Sequence, residues 1–191
     1  MGRSQQFDTD EAVRAARALF WERGFEAASL PELQEATGLS RSSIYHAFGS
    51  KRGLFDAAVE NYLDEVIRPR LRPMAGDEPD PEAVRDYFEG LRAAVQEAHA
   101  DRAGNGCLLV NAACAPVSHD PALREKVAEY RAELHAAIAS GVDARLPGRS
   151  AAERARTAEV ATALNIAALV MTRIDVDEAL RMVDAAIAML D

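Results

Sequence analysis

With 191 residues, 49% of them apolar and 28% charged, the chain has material for a packed core and a well-solvated surface. Its formal net charge of −9 excludes a body that attracts polyanions over its whole surface. No run approaches the roughly 18 apolar residues of a membrane span. The opening "MGRSQQFDTDEAV" lacks a secretion core, and Gln6 breaks the myristoylation pattern suggested by Gly2, so a cytoplasmic protein without membrane contact is expected.

The charge is uneven. Met1 to Phe55 holds seven basic and seven acidic residues, leaving 15 basic against 24 acidic for the remainder. Within the neutral part, Ala36 to Phe55 carries Arg41, Lys51 and Arg52 and no acid.

Apolar residues recur at helical spacing, strict alternation is absent, and helix start and stop signals repeat, which predicts an all-α fold of about nine helices. The first is expected over about 9–23, with Val13, Ala16 and Phe20 inward and Gly24 ending it. "SLPE" has capping-box spacing from Ser29 to Glu32 and opens a short helix that stops near Gly38, with Leu30, Leu33 and Ala36 inward. Ser40 caps a third over 41–48, buried through Ile44 and Phe48, and Gly49 closes it. Ser50 caps a long fourth helix, about 50–68, with Leu54, Ala58, Tyr62 and Val66 in register until Pro69. "RPRLRPMAGDEPDPE", with four prolines, is expected to be a loop or hinge.

Beyond it, a helix over about 81–100 turns Val84, Tyr87 or Phe88, Leu91, Val95 and Ala98 inward. A shorter one covers about 106–115. Asp120 and Pro121 start another that carries Leu123, Val127, Tyr130, Leu134 and Ile138. Ser150 with Glu153, then Asp175 with Glu178, open the last two, about 151–173 and 176–190, the final stripe being Leu180, Val183, Ile187 and Leu190. The division expected is a DNA-binding unit over 1–55, the fourth helix linking it to a second domain over 56–191.

The second and third helices, joined by "TGLS", have the form of a helix-turn-helix, whose second helix enters a major groove. Arg41, Ser42 and Ser43 sit at its leading end, where an arginine can grip guanine and a hydroxyl either partner of a base pair. Tyr45 and His46 face away from Ile44 and Phe48. Ser29, Ser40 and Lys51 lie at helix starts, where free N–H groups, a hydroxyl or an ammonium suit a phosphate. The plainer alternative is that Ser29, Ser40 and Ser50 only cap helices while Tyr45 half-packs on the core. The two readings are compatible. A helical unit that meets protein instead of DNA is the rival function.

"ALFWERGFEAASLPELQEATGLSRSSIYHAFGSKRGLFDAAVENY" resembles the N-terminal signature of the tetracycline-repressor (TetR) family of bacterial transcription regulators. The matching elements are Phe20, Gly24 and Phe25, Ser29, Gly38, Ser40, Ile44 and Tyr45, Phe48, Lys51 and Leu54, over about the first third of the chain. The resemblance implies a homodimer on a palindromic double-stranded operator and a larger C-terminal domain that binds an inducer and dimerises. It also implies that Arg41, Ser42, Ser43, Tyr45 and His46 face the groove while Ser29, Tyr45 and Lys51 contact phosphates. The sequence departs at Ala47, where the family often carries an aromatic residue or a histidine, which shifts the expected affinity toward Tyr45 and Arg41.

The last two helices are more apolar than one core-facing stripe requires, "ALNIAALVM" being apolar nearly all round. Such a helix is either central to its own domain or shared with a partner. The resemblance favours sharing, through 151–173 and 176–190 of each subunit. An inducer pocket of unknown ligand is expected among the middle helices. Its candidates are Tyr87, Phe88, Leu91, Cys107, Asn111, Cys114, Tyr130 and Asn165, which combine apolar wall with polar anchors; each also fits ordinary core or surface. Cys107, Asn111 and Cys114, spaced by four and three, can share one helix face, and a thiol at a helix start is favoured as thiolate. If both cysteines lie on that helix they stand about 10.5 Å apart, beyond disulfide reach. The "GC" start is similar to a subgroup of the family in which some members answer electrophiles or oxidants through cysteine; the alternative is a small buried thiol that only packs. His46, His99, His119 and His135 show no metal-ligand spacing with the cysteines, and the sequence contains no phosphate loop, G-x-S-x-G or H-E-x-x-H. No cofactor, metal or catalysis is expected.

Overall fold

The structure is a computed structural model that describes residues 2–76, 78–100 and 104–191, with side chains described for 9–76, 78–97 and 104–191. The inward placement of Ala98 and the surroundings of His99 lie outside the described side chains. Among the described residues every regular element is helical.

The N-terminal unit is α1 (Gly2–Arg23), α2 (Leu30–Thr37) and α3 (Arg41–Phe48), with α4 (Lys51–Tyr62) packed along α1. Helix α1 starts earlier than expected, at Gly2 instead of near Thr9. The boundaries of α2 and α3 follow local chemistry. Ser29 and Glu32 form the reciprocal capping box, and Gly38 takes a left-handed φ of 68° at the far end. Ser40 caps α3 and Ser50 caps α4, each accepting from the backbone N–H three residues on.

Phe20, Leu33, Ile44, Leu54 and Phe55 are fully buried at the centre of this unit. The Phe20 and Phe55 rings meet edge-to-face at 5.1 Å, and Phe25 lies 5.1 Å from Phe55. Such pairs add about 0.5–1.5 kcal/mol to the burial itself.

Helix α4 does not stop before Pro69. A π-turn, Leu63–Ile67, carries the rod into α5 (Arg68–Leu71) and a 3-10 turn, Arg72–Met74. The π-turn shifts the backbone register so that the Arg68 N–H reaches the Leu63 carbonyl, and Pro69 enters at the start of the following segment. There its missing N–H costs little. The expected loop therefore shrinks to the stretch between Met74 and Ala83.

The C-terminal body contains α6 (Ala83–Ala100), α7 (Leu108–Ala113), α8 (Pro121–Arg145), α9 (Ala151–Met171) and α10 (Val176–Ala188). Counting α4 and α5 as one rod gives nine rods among the described residues. Helix α10 packs on α9 and α6, and α8 on α9. The buried face of α10 is Ala179, Val183 and Ala186, continued by Leu190, while Leu180 and Ile187 are half-buried. The small alanines turn toward the core because they allow close approach to α9. In α6 it is Phe88, not Tyr87, that is fully buried.

Head and body share a joint. The Trp21 indole N–H donates to the Gly106 carbonyl at 3.1 Å, and the Val117 N–H donates to Glu26 at 2.6 Å. Arg52 bridges Asp56 at 2.7 Å and Asp120, the cap of α8, at 2.9 Å. Gly106 has φ 63°, and a Cβ there would fall 2.4 Å from the Leu169 carbonyl oxygen.

Two measurements probe this frame. A Cβ on Gly53 would lie 1.9 Å from the Phe48 carbonyl oxygen, where α3 turns into α4. Gly53→Ala is expected to lose about 1–3 kcal/mol in urea unfolding, the usual range for overpacking; an unchanged midpoint contradicts this. Glu65 accepts from Arg14 at 2.8 Å and Arg17 at 2.9 Å, which ties α4's rod to α1. Its carboxyl is lowered to about 2, chiefly by the hydrogen bond from Arg14. A folded value below the unfolded one gives stability that is present above the ordinary carboxylate range and is lost as pH falls toward 2. Glu65→Gln should flatten the loss of melting temperature between about pH 4.5 and 2. An acid limb identical to that of the parent contradicts it.

Candidate nucleic-acid interface

Helix α3 is eight residues long and buries only Ile44 completely, with Phe48 half-buried at its end. Arg41, Ser42, Ser43, Tyr45, His46 and Ala47 are all exposed, and Tyr45 retains 44% of its accessible surface. The anchor is thus one aliphatic side chain, and the polar sector faces outward.

Within that sector the groups organise one another. The Ser40 hydroxyl accepts from the Ser43 N–H at 3.1 Å and lies 2.8 and 2.9 Å from the hydroxyls of Ser42 and Ser43. The Arg41 guanidinium stacks over the Tyr45 ring at 5.6 Å, which holds the cation on the exposed face. Leu39 and Phe48 with the exposed Ser42, Ser43 and His46 line a hollow of about 520 Å³.

The flanking positions differ from one another. Lys51 lies half-buried with its ammonium 4.7 Å from the Phe25 ring centroid, and it donates to the Glu26 carbonyl at 3.4 Å. Burial lowers its pKa from the ordinary lysine value. Ser29 is exposed, but its hydroxyl and N–H both donate to Glu32, at 2.6 and 2.8 Å. Those bonds, the hydroxyl first, hold the Glu32 carboxyl below its usual range, so a carboxylate occupies the spot. A phosphate can meet Ser29 only after Glu32 swings out of the cap.

In the body, the candidate pocket residues divide. Tyr87, Leu91 and Tyr130 line a small inner cavity of about 40 Å³ beside Trp21 and Tyr62. Cys107 is fully buried, with its thiol 3.7 Å from the Tyr130 hydroxyl. Asn165 is fully buried and accepts from the Tyr87 hydroxyl at 3.0 Å. Phe88 is core and meets Tyr87 edge-to-face at 5.3 Å. Asn111 donates to the Asn105 carbonyl at 2.7 Å.

The shared face expected for Cys107, Asn111 and Cys114 is not found. Cys107 and Cys114 bound α7 as its N-cap and C-cap, one buried and the other exposed. The helix is shorter than the spacing suggested, so the two thiols end up on different sides of the packing. Trp21, Tyr62 and Arg70 are cavity residues that the sequence reading passed over. The aromatic pair meets edge-to-face at 5.0 Å, and the helical spacing beyond Pro69 was the signal for Arg70. Among the described residues no group of three or more His, Cys, Asp or Glu can hold a metal, and no helix is long and apolar enough to cross a membrane.

Residues 12–58 match the family described as "Bacterial regulatory proteins, tetR family". Over its full length the chain is 31% identical to YezE of Bacillus subtilis (strain 168), described as an uncharacterized HTH-type transcriptional regulator, with 100% of each covered. It is 30% identical over 149 residues to BdcR of Escherichia coli (strain K12), an HTH-type transcriptional repressor, covering 78% of this chain and 73% of the relative. Among solved structures, a cysteine mutant of the TetR family transcriptional regulator CifR, complexed with 26-bp double-strand operator DNA, superposes with a TM-score of 0.75. The identity is 29%, and the match covers 94% of this chain and 95% of that one.

The contrast between the thiols is directly measurable. Iodoacetamide should alkylate Cys114 in the native protein and leave Cys107 unmodified until the protein is unfolded, as read by peptide mass spectrometry. Equal rates in the native state would contradict the burial of Cys107.

Proposed function

The chain belongs to the tetR family of bacterial regulatory proteins, and on that premise we propose that it is a cytoplasmic repressor of transcription. It holds a palindromic operator as a homodimer and releases it when a small molecule enters the C-terminal body. One observation carries the reading: α3 is anchored by Ile44 and turns Arg41, Ser42, Ser43, Tyr45 and His46 outward with no acid on the helix.

In this reading Arg41 and the two serines meet base edges, the arginine pre-oriented by its stack on Tyr45. Tyr45, Lys51 and the N-terminus of α3 at Ser40 hold backbone phosphates and set the register. Lys51, held against Phe25, places its charge without much loss of side-chain freedom. Ser29 joins them only in a bound state that frees it from Glu32.

Dimerisation through α9 and α10 is supported by the apolar groups these helices leave uncovered. Val160 is 39% exposed and Ile174, between them, 74%. Ile166, Val170, Leu180 and Ile187 are half-buried. Release by thiol chemistry at Cys107 has little support, because that thiol is sealed in the core.

Nuclease footprinting on the chain's own promoter region tests the reading. A protected palindrome, with a sedimenting dimer at micromolar concentration, is expected. Tyr45→Ala and Lys51→Ala should each weaken binding about tenfold or more at fixed salt while leaving the fold intact by circular dichroism, in line with the loss of one or more contacts per half-site. Unchanged binding by both variants would remove the contact assignment.

A further inference from the structure

The chain carries 22 basic residues, and 20 of them are arginine. A guanidinium stays protonated at every working pH and does not take up acyl groups, whereas a neutral lysine amine does. Side-chain amine acylation is therefore confined to the two lysines, Lys51 and Lys126. Their surroundings are opposite.

Lys126, on α8, is held by two carboxylates, Glu60 at 3.0 Å and Glu129 at 2.9 Å. Those bonds, Glu129 first, raise its pKa above the ordinary lysine value and keep its nitrogen protonated. Among the described residues Lys51 has no ion-pair partner. Its ammonium makes one long hydrogen bond, to the Glu26 carbonyl at 3.4 Å, and rests 4.7 Å from the Phe25 ring centroid. It is also the first residue of α4, directly after the Ser50 cap, where the positive end of the helix disfavours a cation. Glu26 and Glu32 favour the charged form from a distance, but burial outweighs them and the pKa falls. The side chain is half-buried, so one side of the amine still meets solvent.

Position matters as much as environment. Lys51 is the residue assigned above to a backbone phosphate, so one nitrogen can serve the operator or an acyl donor but not both.

We propose that Lys51 is an acylation switch: its neutral amine takes an acyl group from a thioester, and the amide so formed cannot hold the operator phosphate. The inference rests on the operator-binding reading above and adds a route of regulation separate from ligand release. Nζ attacks the thioester carbonyl carbon and an N–C bond forms. The C–S bond breaks with its electron pair on sulfur, and the proton shed by nitrogen ends on the thiolate. The products are an amide and a thiol, with nothing oxidised or reduced. The amide carries no charge, so each of two heads loses one phosphate attraction. Because bound operator covers Lys51, the free protein is the form that reacts, and acylation then holds it off the operator.

The full chain is incubated with acetyl-coenzyme A at about pH 8, below the ordinary lysine pKa. It is treated free and with saturating operator duplex, and each lysine is followed by peptide mass spectrometry. In the free protein Lys51 should react about fivefold faster than Lys126 or more, since the neutral fraction changes tenfold per pKa unit. Operator should slow Lys51 by a similar factor and leave Lys126 unaffected. Once Lys51 is acetylated, operator affinity at fixed salt should fall about tenfold or more, in the parent and in Lys126→Arg alike. Lys51→Arg keeps a cation but has no amine to acylate, so its affinity should be the same before and after treatment.

A rate at Lys51 equal to or below that at Lys126, or one that operator leaves unchanged, overturns the switch. Parent affinity in protein acetylated at Lys51, or a loss on treatment that Lys51→Arg shares, overturns it as well. The operator-contact reading fails separately, if untreated Lys51→Ala binds the duplex as tightly as the parent.

Discussion

The fold's use depends on Ile44. It is the one fully buried side chain of an eight-residue helix, far too short to persist alone in water. What holds α3 is that single anchor, the Ser40 cap at one end and the turn through Gly49 into α4 at the other. Because so little of α3 is committed inward, nearly all of it remains free to meet another surface. A second large apolar residue in place of Tyr45 or His46 would have turned the helix into ordinary core. The economy of the anchor is what makes an outward face possible in a protein whose net charge is −9.

The same sparing use of contacts appears where the head meets the body. Helix α1 serves both: Phe20 closes the aromatic cluster of the head, while Trp21, the next residue, donates to the Gly106 carbonyl of the body. Arg52 on α4 and Glu26 in the loop after α1 add bonds to Asp120 and to the Val117 N–H. Each is a single polar contact at a partly exposed site, where water and salt weaken it. These bonds supplement apolar packing, because one buried cluster runs from Phe20 in the head through Tyr62 and Leu109 into the body.

Local chemistry explains which features could be read from the sequence. The capping serines, Gly38, Gly49 and the Asp120–Pro121 start each fix a boundary through neighbours a few residues away, and α2, α3 and α8 begin where those signals stand. The outward face of α3 was legible for the same reason, since Ile44 and Phe48 set its phase. Pro69 misled because the rule that a proline ends a helix takes for granted an unbroken register, and the π-turn breaks it. The choice of Phe88 over Tyr87, and of Ala179 and Ala186 over Leu180 and Ile187, is made by neighbouring helices that no local pattern encodes.

The central claim is that α3 presents an electrostatic and hydrogen-bonding face to duplex DNA, and the salt dependence of operator affinity tests it most directly. With Lys51 neutralising a phosphate in each of two heads, the log–log slope should be about −2 or steeper. Removing Lys51 should reduce its magnitude by about two, one phosphate charge per head. A slope near zero, or one that Lys51→Ala leaves untouched, would contradict the account.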